Sequence, residues 1–394
     1  MARSRKQAFI KPAAGAKSQP STPYHVDWWL VTSLVILLCF GLVMVESSSM
    51  GFASKSDLSE MHFFNRQLAY VLMGALFAWI SFHAHTSTLR SVSRALFLVA
   101  IATLILVWVP GLGITLNGAK RWIHVGPVTF QVAEAAKLFT ILWVAQYLAS
   151  QHHCIQKAPK ATLVPLAVCA VIVALLLGQK DFGSSVVLLV CIGGMVFMAG
   201  APARFLIGAA IVSAPFIVSA ATVGHRLDRF KGFMDPWGDA TGKGYQLVQS
   251  LISIGRGEIT GVGLGSGVAK LYLPAAQSDF IFAVIAEELG LVGIVILIAL
   301  FSVLVSRIFM IGLKALHLKQ HFGGLLSFGI GFWLAEQVII NVGVNEGLLP
   351  TKGLTLPFIS AGGSSILILM IAIGLVLRVD YENQLLNPAI RRKA

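Results

Sequence analysis

The stretch LYLPAAQSDFIFAVIAEELGLVG, Leu271–Gly293, places three carboxylates at the mouth of and inside a long apolar segment. The acids are Asp279, Glu287 and Glu288. A charge at bilayer depth costs a few kcal/mol unless it is paired or faces water, so such residues are functional candidates. The stretch therefore predicts a membrane helix that also serves a site.

The composition indicates an all-α polytopic membrane protein. The 394 residues are 56% hydrophobic and 12% charged, and the mean hydropathy is +0.81. Apolar runs long enough to cross a ~30 Å hydrocarbon layer predict ten transmembrane helices. The predicted spans are 28–46, 67–82, 92–110, 130–148, 162–178, 184–200, 204–223, 280–306, 322–344 and 361–378.

The charge distribution predicts the orientation. Lys and Arg number 17 on the side of the N-terminus, against 6 on the other side once the long connection 224–278 is set aside. This bias predicts a multi-pass protein of the cytoplasmic membrane with both termini inside. We expect a flexible basic tail at 1–26, which anionic membrane lipids attract, one membrane domain at 27–380 and a tail at 381–394. The net charge of +13 thus reflects topology, not a nucleic-acid partner.

The external connection 224–278 is far longer than an ordinary loop, which indicates a function. Within it, Gln246, Gln249 and Ser253 recur at three and four residues opposite leucine and isoleucine. This pattern predicts a short amphipathic helix at the membrane surface, and the two glutamines are candidate substrate contacts. The glycine-rich stretch that follows, 255–267, either cradles an anion or is a flexible connector.

Two charged residues lie inside the predicted span 130–148. Glu134 and Lys137 are three residues apart on one helical face, so they either form a structural ion pair or serve the substrate. Asp181 lies in a short external turn, where it either caps the next helix or belongs to the site.

Further cations lie in the external loops. Arg121 and Trp122, preceded by Lys120, are placed where a lipid phosphate would lie, although a Trp beside basic residues also anchors proteins at a membrane interface. Lys352 is the one cation of GLLPTKGLTLPFISAGGSS, 347–365, whose prolines and glycines are typical of segments that line a cavity.

Asp279 differs in position from the other two acids. It should reach the external interface, whereas Glu287 lies about 12 Å deeper along a helix. We expect the partly desolvated Asp279 to be reactive. We expect Glu287 and Glu288 to hold neighbouring helices through hydrogen bonds and cations.

Several motifs resemble those of the SEDS family, the shape, elongation, division and sporulation proteins of bacteria. They include GLVMVESSSM, NGAKRWIHVG, QVAEAAKL, GYQLVQSLISIGRGEITGVGLG and LPAAQSDFIFAVIAEELGLVG, and they occur in the family's order over residues 28–383. The PTKGLTLP and GRGE stretches look most like the division branch. This chain departs from the family pattern at Ala275, Gln277, Ser278, Val132 and Ala361 and in the triplet 179–181.

The resemblance implies a peptidoglycan glycosyltransferase that polymerises lipid II at the outer face of the cytoplasmic membrane, at the division septum. It also implies a class B penicillin-binding transpeptidase as partner, with divisome regulators nearby. The family's essential acid corresponds to Asp279, and its ExxK pair corresponds to Glu134 and Lys137.

The implied chemistry needs one carboxylate. Asp279 would act as general base on the 4-hydroxyl of the acceptor sugar. The donor would be the undecaprenyl-pyrophosphate-linked glycan. Its lipid pyrophosphate would leave without a second acid, with its charge neutralised by Lys137, Arg121 or Lys352. Whether a divalent cation, Mg²⁺ or Mn²⁺, assists stays open, and the sequence names no metal ligands.

Two alternatives of other classes remain. Broken segments and membrane-embedded charges also suit a flippase for lipid-linked precursors. A noncatalytic scaffold that recruits the transpeptidase is the second alternative.

Overall fold

The structure is a computed structural model that describes residues 25–55, 59, 61–116, 119–125, 128–155, 159–208, 211, 230 and 232–386. Within these ranges, eight helices are long and apolar enough to cross a membrane, and a shorter apolar helix accompanies them. The long helices are α1 (Trp28–Lys55), α2 (His62–His83), α3 (Thr86–Leu106), α4 (Val132–Ser150), α5 (Pro159–Gly178), α9 (Ile281–His317), α10 (His321–Asn345) and α11 (Gly363–Leu386), and the shorter one is α6 (Phe182–Met198).

The described helices confirm nine of the predicted spans with shifted ends. The predicted span 204–223 lies mostly outside the described residues. Helix α11 continues to Leu386, so the first residues of the expected C-terminal tail are helical. The backbone amide of His25 donates to Gln384 Oε1 at 3.1 Å, which places the two ends of the described chain on one side. We call that side the inner face, and the side that carries Asp279 the outer face.

Buried and lipid-facing helices differ in what they expose. Helices α4 and α11 are mostly buried, whereas α2 and α3 leave large apolar side chains such as Leu72 and Leu98 exposed. Because α2 packs on α11 at Gly74 and Gly374, the two backbones approach closely. Small residues allow this kind of contact between membrane helices. The bundle therefore has a protein core and a lipid-facing surface.

A three-stranded antiparallel sheet lies between α3 and α4, where the sequence predicts only a loop. Its strands are β1 (Gly113–Leu116), β2 (Ala119–Val125) and β3 (Val128–Gln131), in the order β1-β2-β3. Trp122 pairs with Gln131 across β2 and β3. Helix α4 starts only at Val132, because the first residues of the predicted span 130–148 belong to β3. The sheet fixes Arg121 and Trp122 at the outer face.

The long connection before α9 also contains ordered elements. The predicted amphipathic helix is α7 (Tyr245–Gly257), and the short helix α8 (Ala269–Tyr272) follows it. Leu247 is buried as expected, but Val248, Ser250 and Ser253 are buried too. The expectation that Ser253 belongs to the solvent face is wrong, because α7 packs against α9 and α10.

Helix α9 is broken at Gly290. This glycine has φ 62° and ψ −162°, a conformation that L residues with a side chain rarely adopt. The carbonyls of Glu287 and Glu288 accept from the amides of Val262 and Gly263, both at 3.0 Å. The amides of Leu291 and Val292 donate to carbonyls of the same connection at 3.0 and 3.1 Å. The connection after α7 thus supplies the partners that the broken helix lacks.

We predict that Gly290→Ala weakens this junction. An added Cβ would lie 2.4 Å from the Gly261 nitrogen, and the positive φ adds strain. We expect a loss of about 2 kcal/mol or more in the free energy of unfolding, measured by thermal unfolding of the detergent-purified protein.

Gly255→Ala is the matched control, because an added Cβ at this helical glycine meets open space. It should leave stability unchanged or raise it slightly. Equal stability of the two variants would contradict the role of the break.

Candidate active site at the outer face

Asp279 lies in the turn directly before α9, at the outer end of the predicted span 280–306, and it is partly exposed as expected. Two amides of α10 hold its backbone. Asn341 Nδ2 and Asn345 Nδ2 donate to the Asp279 carbonyl at 3.0 and 3.2 Å. Both asparagines are buried. The backbone that carries the carboxylate is therefore fixed by a membrane helix.

The segment between α10 and α11 runs alongside this turn. Ser360 Oγ donates to the Ser278 carbonyl at 2.6 Å, and the Ala361 amide donates to the Gln277 carbonyl at 2.9 Å. Asn341 Nδ2 also donates to the Leu354 carbonyl at 2.6 Å. The proline- and glycine-rich segment is thus bonded to the residues around Asp279.

Lys352 belongs to the same neighbourhood. A Cβ built on the adjacent Gly353 would lie 3.0 Å from Asp279 Oδ2, so this backbone touches the carboxylate. The Lys352 ammonium lies 3.4 Å from the centroid of the Phe182 ring. The ring of Phe182, at the start of α6, therefore holds the Lys352 ammonium by a cation–π contact. Lys352 is the sequence neighbour of Gly353, whose backbone lies near the Asp279 carboxylate.

Arg121 is anchored by Asp181. Its guanidinium lies 3.6 Å from Asp181 Oδ1, and Arg121 stays 27% exposed while Asp181 is buried. Asp181 Oδ1 also accepts the Ser184 amide at 3.1 Å. The predicted N-cap is confirmed, and the same carboxylate fixes an external arginine.

A cavity of about 310 Å³ opens between α2, the sheet and the start of α11. Its wall includes Gln277 and Ser278, the two residues directly before Asp279. Its polar lining includes Arg66, Trp122, Ser278 and Ser364. Gln67, also in the wall, donates to the Ser360 carbonyl at 3.1 Å. Arg66 and Gln67 were not predicted as site residues, although an arginine at the outer end of an apolar run is a usable signal.

Lys137 and Glu134 do not reach this site. Lys137 is 1% exposed, and its ammonium donates to Glu134 Oε1 at 2.9 Å. The ammonium also lies 4.9 Å from the centroid of the Trp333 ring. This position does not support the expected contact of Lys137 with pyrophosphate. It supports the alternative of a structural ion pair.

The two acids of α9 bind the external connection. Glu287 accepts the amides of Val268 and Ala269 at 3.0 and 2.9 Å, and Arg256 lies 3.3 Å from it. Glu288 accepts from Lys270 at 3.0 Å and from Ser47 of α1 at 2.7 Å. Both acids have the hydrogen bonds and cations that were expected. Their partners lie mostly in the connection, not on neighbouring membrane helices.

Gln246 and Gln249 are only partly exposed on α7. This helix touches the site indirectly, because Ser250 Oγ donates to the Asn345 carbonyl at 2.8 Å. Among the described residues, no group of three or more His, Cys, Asp or Glu side chains could hold a metal ion.

These features define a class: a polytopic membrane protein with a carboxylate at its outer rim, a cavity lined by an arginine, and further cations in the external loops. The family model described as "Cell cycle protein", FtsW/RodA/SpoVE, matches residues 28–385. The chain belongs to this family.

Relatives and solved structures agree with this assignment. The chain is 44% identical to the probable peptidoglycan glycosyltransferase FtsW of Xanthomonas oryzae pv. oryzae, over 90% of this chain and 73% of the relative. It is 43% identical to the probable peptidoglycan glycosyltransferase FtsW of Coxiella burnetii, over 92% of this chain and 98% of the relative. A chain from a structure described as a peptidoglycan synthase complex that coordinates polymerization and crosslinking matches with a TM-score of 0.72 and 29% identity, over 91% and 98%. The crystal structure of Thermus thermophilus RodA matches with a TM-score of 0.68 and 28% identity, over 91% of this chain and 97% of RodA.

We predict that Glu287→Gln releases the external connection. A charge-assisted hydrogen bond contributes about 1.5–3 kcal/mol, so the amides of Val268 and Ala269 should exchange with deuterium at least about 10-fold faster. Glu258→Gln, the same change at an exposed position of the connection, should leave both exchange rates unchanged. Equal rates in Glu287→Gln and the unaltered protein would sink the assigned role.

Proposed function

We propose that this chain is a peptidoglycan glycosyltransferase that polymerises lipid II at the outer face of the cytoplasmic membrane, with Asp279 as general base. The carrying observation is the position of Asp279. It is partly exposed on a turn that α10 fixes through two buried amides, beside a cavity that an arginine lines.

The position of Asp279 suits proton removal from the acceptor. A general base must lie within hydrogen-bond reach of the nucleophilic hydroxyl, and the carboxylate itself must be partly shielded from water. Asp279 would accept the proton of the acceptor 4-hydroxyl as its oxygen attacks the anomeric carbon of the donor. The carbon–phosphate oxygen bond breaks with inversion. Because the leaving group is a diphosphate, no second carboxylic acid is needed, unlike in a glycosidase.

Cations at the rim support departure of the diphosphate. Arg66 lines the cavity, while Arg121 and Lys352 are held nearby by Asp181 and Phe182. Arginine binds phosphate oxygens in a bidentate manner. Lys137 has no part in this proposal, because it is buried and paired with Glu134.

Helix α2 supports a path for the lipid tail. Arg66 lies at its outer end, and Leu72, Leu76 and Ile80 expose apolar surface further along the same helix. An undecaprenyl chain could therefore stay in the hydrocarbon while its diphosphate meets Arg66. This arrangement lets a lipid-linked donor react without leaving the membrane.

The family supports proposals on partners and location. We propose a class B penicillin-binding transpeptidase as partner and divisome regulators nearby, since a similar chain is found in a peptidoglycan synthase complex. The excess of Lys and Arg at the inner face supports cytoplasmic termini. The similarity to FtsW proteins supports action at the division septum.

We predict that Asp279→Asn lowers lipid II polymerisation at least about 100-fold, because a positioned general base contributes about 10²–10⁴-fold. The assay measures glycan strands formed by purified protein from lipid II, with and without the transpeptidase. Asp239→Asn is the matched control, since Asp239 is exposed in the same external connection. It should polymerise at the unaltered rate.

Other outcomes separate the alternatives. A flippase would move lipid II across liposome membranes in both variants and make no polymer. A scaffold would support cell division with Asp279→Asn in place of the unaltered protein. Normal polymerisation by Asp279→Asn would remove the role of the acid.

We predict that Arg66→Gln lowers the polymerisation rate about 10- to 100-fold, because one charge-assisted bond to the diphosphate is lost. Arg90→Gln, an exposed arginine near the start of α3, is the control and should have no effect. If both variants match the unaltered rate, the cavity does not hold the diphosphate.

A further inference from the structure

A second polar cluster lies inside the bundle, where α4 meets α10. Lys137 is paired with Glu134 and packs over the Trp333 ring. A third charged group, Glu336 of α10, interacts electrostatically with Lys137. Neither the family motif nor the proposed glycosyl transfer uses Glu336.

Glu336 lacks what a buried carboxylate needs. Both of its oxygens are buried, and among the described residues neither has a hydrogen-bond partner. Lys137 donates to Glu134 instead. With all three groups ionised, one lysine would face two carboxylates, so one negative charge would stay uncompensated between membrane helices. Such a charge is strongly unfavourable.

Neighbouring polar atoms share this deficit. Gln337 is 0% exposed, and within the described part of the chain neither amide atom has a partner. The same holds for Trp333 Nε1 and Glu134 Oε2. Trp333 and Gln337 are four residues apart and therefore lie on one face of α10. Oxygen atoms outnumber N–H groups among these atoms, which favours a positively charged ligand.

Helix α6, which also packs against α10, adds no cation. Cys191 of α6 interacts electrostatically with Glu336 and with Lys137, and its thiol donates to the Gly329 carbonyl at 3.2 Å. The charged groups known to face Glu336 are therefore Lys137 from α4 and, behind it, Glu134. The charge of Lys137 is already balanced by Glu134, so the negative charge of an ionised Glu336 has no counterion among these groups.

We propose that Glu336 is the centre of a buried monovalent cation site, which takes one positive charge either as a proton or as an alkali-metal ion. In the first case a hydronium ion transfers its proton to a carboxylate oxygen and leaves water. In the second case the carboxylate and water bind Na⁺ or K⁺. Either ligand makes the cluster of Glu134, Lys137 and Glu336 electrically neutral.

Infrared spectroscopy of the detergent-purified full chain tests the proton. If the ligand is a proton, the unaltered protein, labelled with ¹³C-glutamate, should show at neutral pH the carbonyl band of a protonated glutamic acid. Glu336→Gln should remove that band. Glu346→Gln, the same change at the exposed end of α10, should keep it.

Thermal unfolding tests the alkali-metal ion. If the ligand is an alkali-metal ion, replacing choline chloride with NaCl or KCl at constant ionic strength should raise the unfolding midpoint by at least about 3 °C in the unaltered protein and in Glu346→Gln. It should have no effect in Glu336→Gln. Glu336→Leu, which fills the space with apolar atoms, replaces Glu336→Gln if that variant does not fold.

The two measurements together decide the proposal. A band that depends on Glu336 identifies the proton, and a salt-specific midpoint that depends on Glu336 identifies the alkali-metal ion. The absence of both from the unaltered protein overturns the proposal. So does a band or a salt effect that persists unchanged when Glu336 is replaced.

Discussion

The outer half of the molecule depends on a single break in a membrane helix. At Gly290 the backbone of α9 leaves helical geometry, and four of its hydrogen bonds pass to the connection that follows α7. In hydrocarbon such groups must be satisfied by protein. The backbone at the break therefore binds the connection. The side chains of Glu287 and Glu288 bind the residues that follow in the connection, Val268 to Lys270. The turn that carries Asp279, directly before α9, is consequently held between this junction and α10.

Helix α10 links the outer site to the interior. Trp333, Gln337, Asn341 and Asn345 recur every four residues and so lie on one face. The outer two hold the Asp279 backbone, and Trp333 packs on Lys137. A polar row at this spacing costs stability unless each member binds something. Its outer end positions the acid at the rim, while its inner end borders the cluster that contains Glu336.

The sequence predicts features that depend on local pattern. Apolar run length predicted the spans, and the three-residue spacing of Glu134 and Lys137 predicted an ion pair as one alternative. Features that depend on distant partners were missed. The break at Gly290 needs backbone groups from the connection, and the strands β1 to β3 are too short to predict without their pairing. Arg66 gains its place only because α2, the sheet and α11 enclose one cavity.

The separation of the charges follows from solvent access. A group that must exchange protons or bind a mobile diphosphate needs contact with the outer face, and the partly exposed Asp279, the exposed Arg66 and the 27% exposed Arg121 have it. Lys137 also carries a positive charge, but its ammonium is already paired with Glu134 in a medium of low dielectric. Moving it to a substrate would leave Glu134 and Glu336 as two buried carboxylates without a cation. Chemistry at the rim and charge balance in the interior therefore require different cations in this fold.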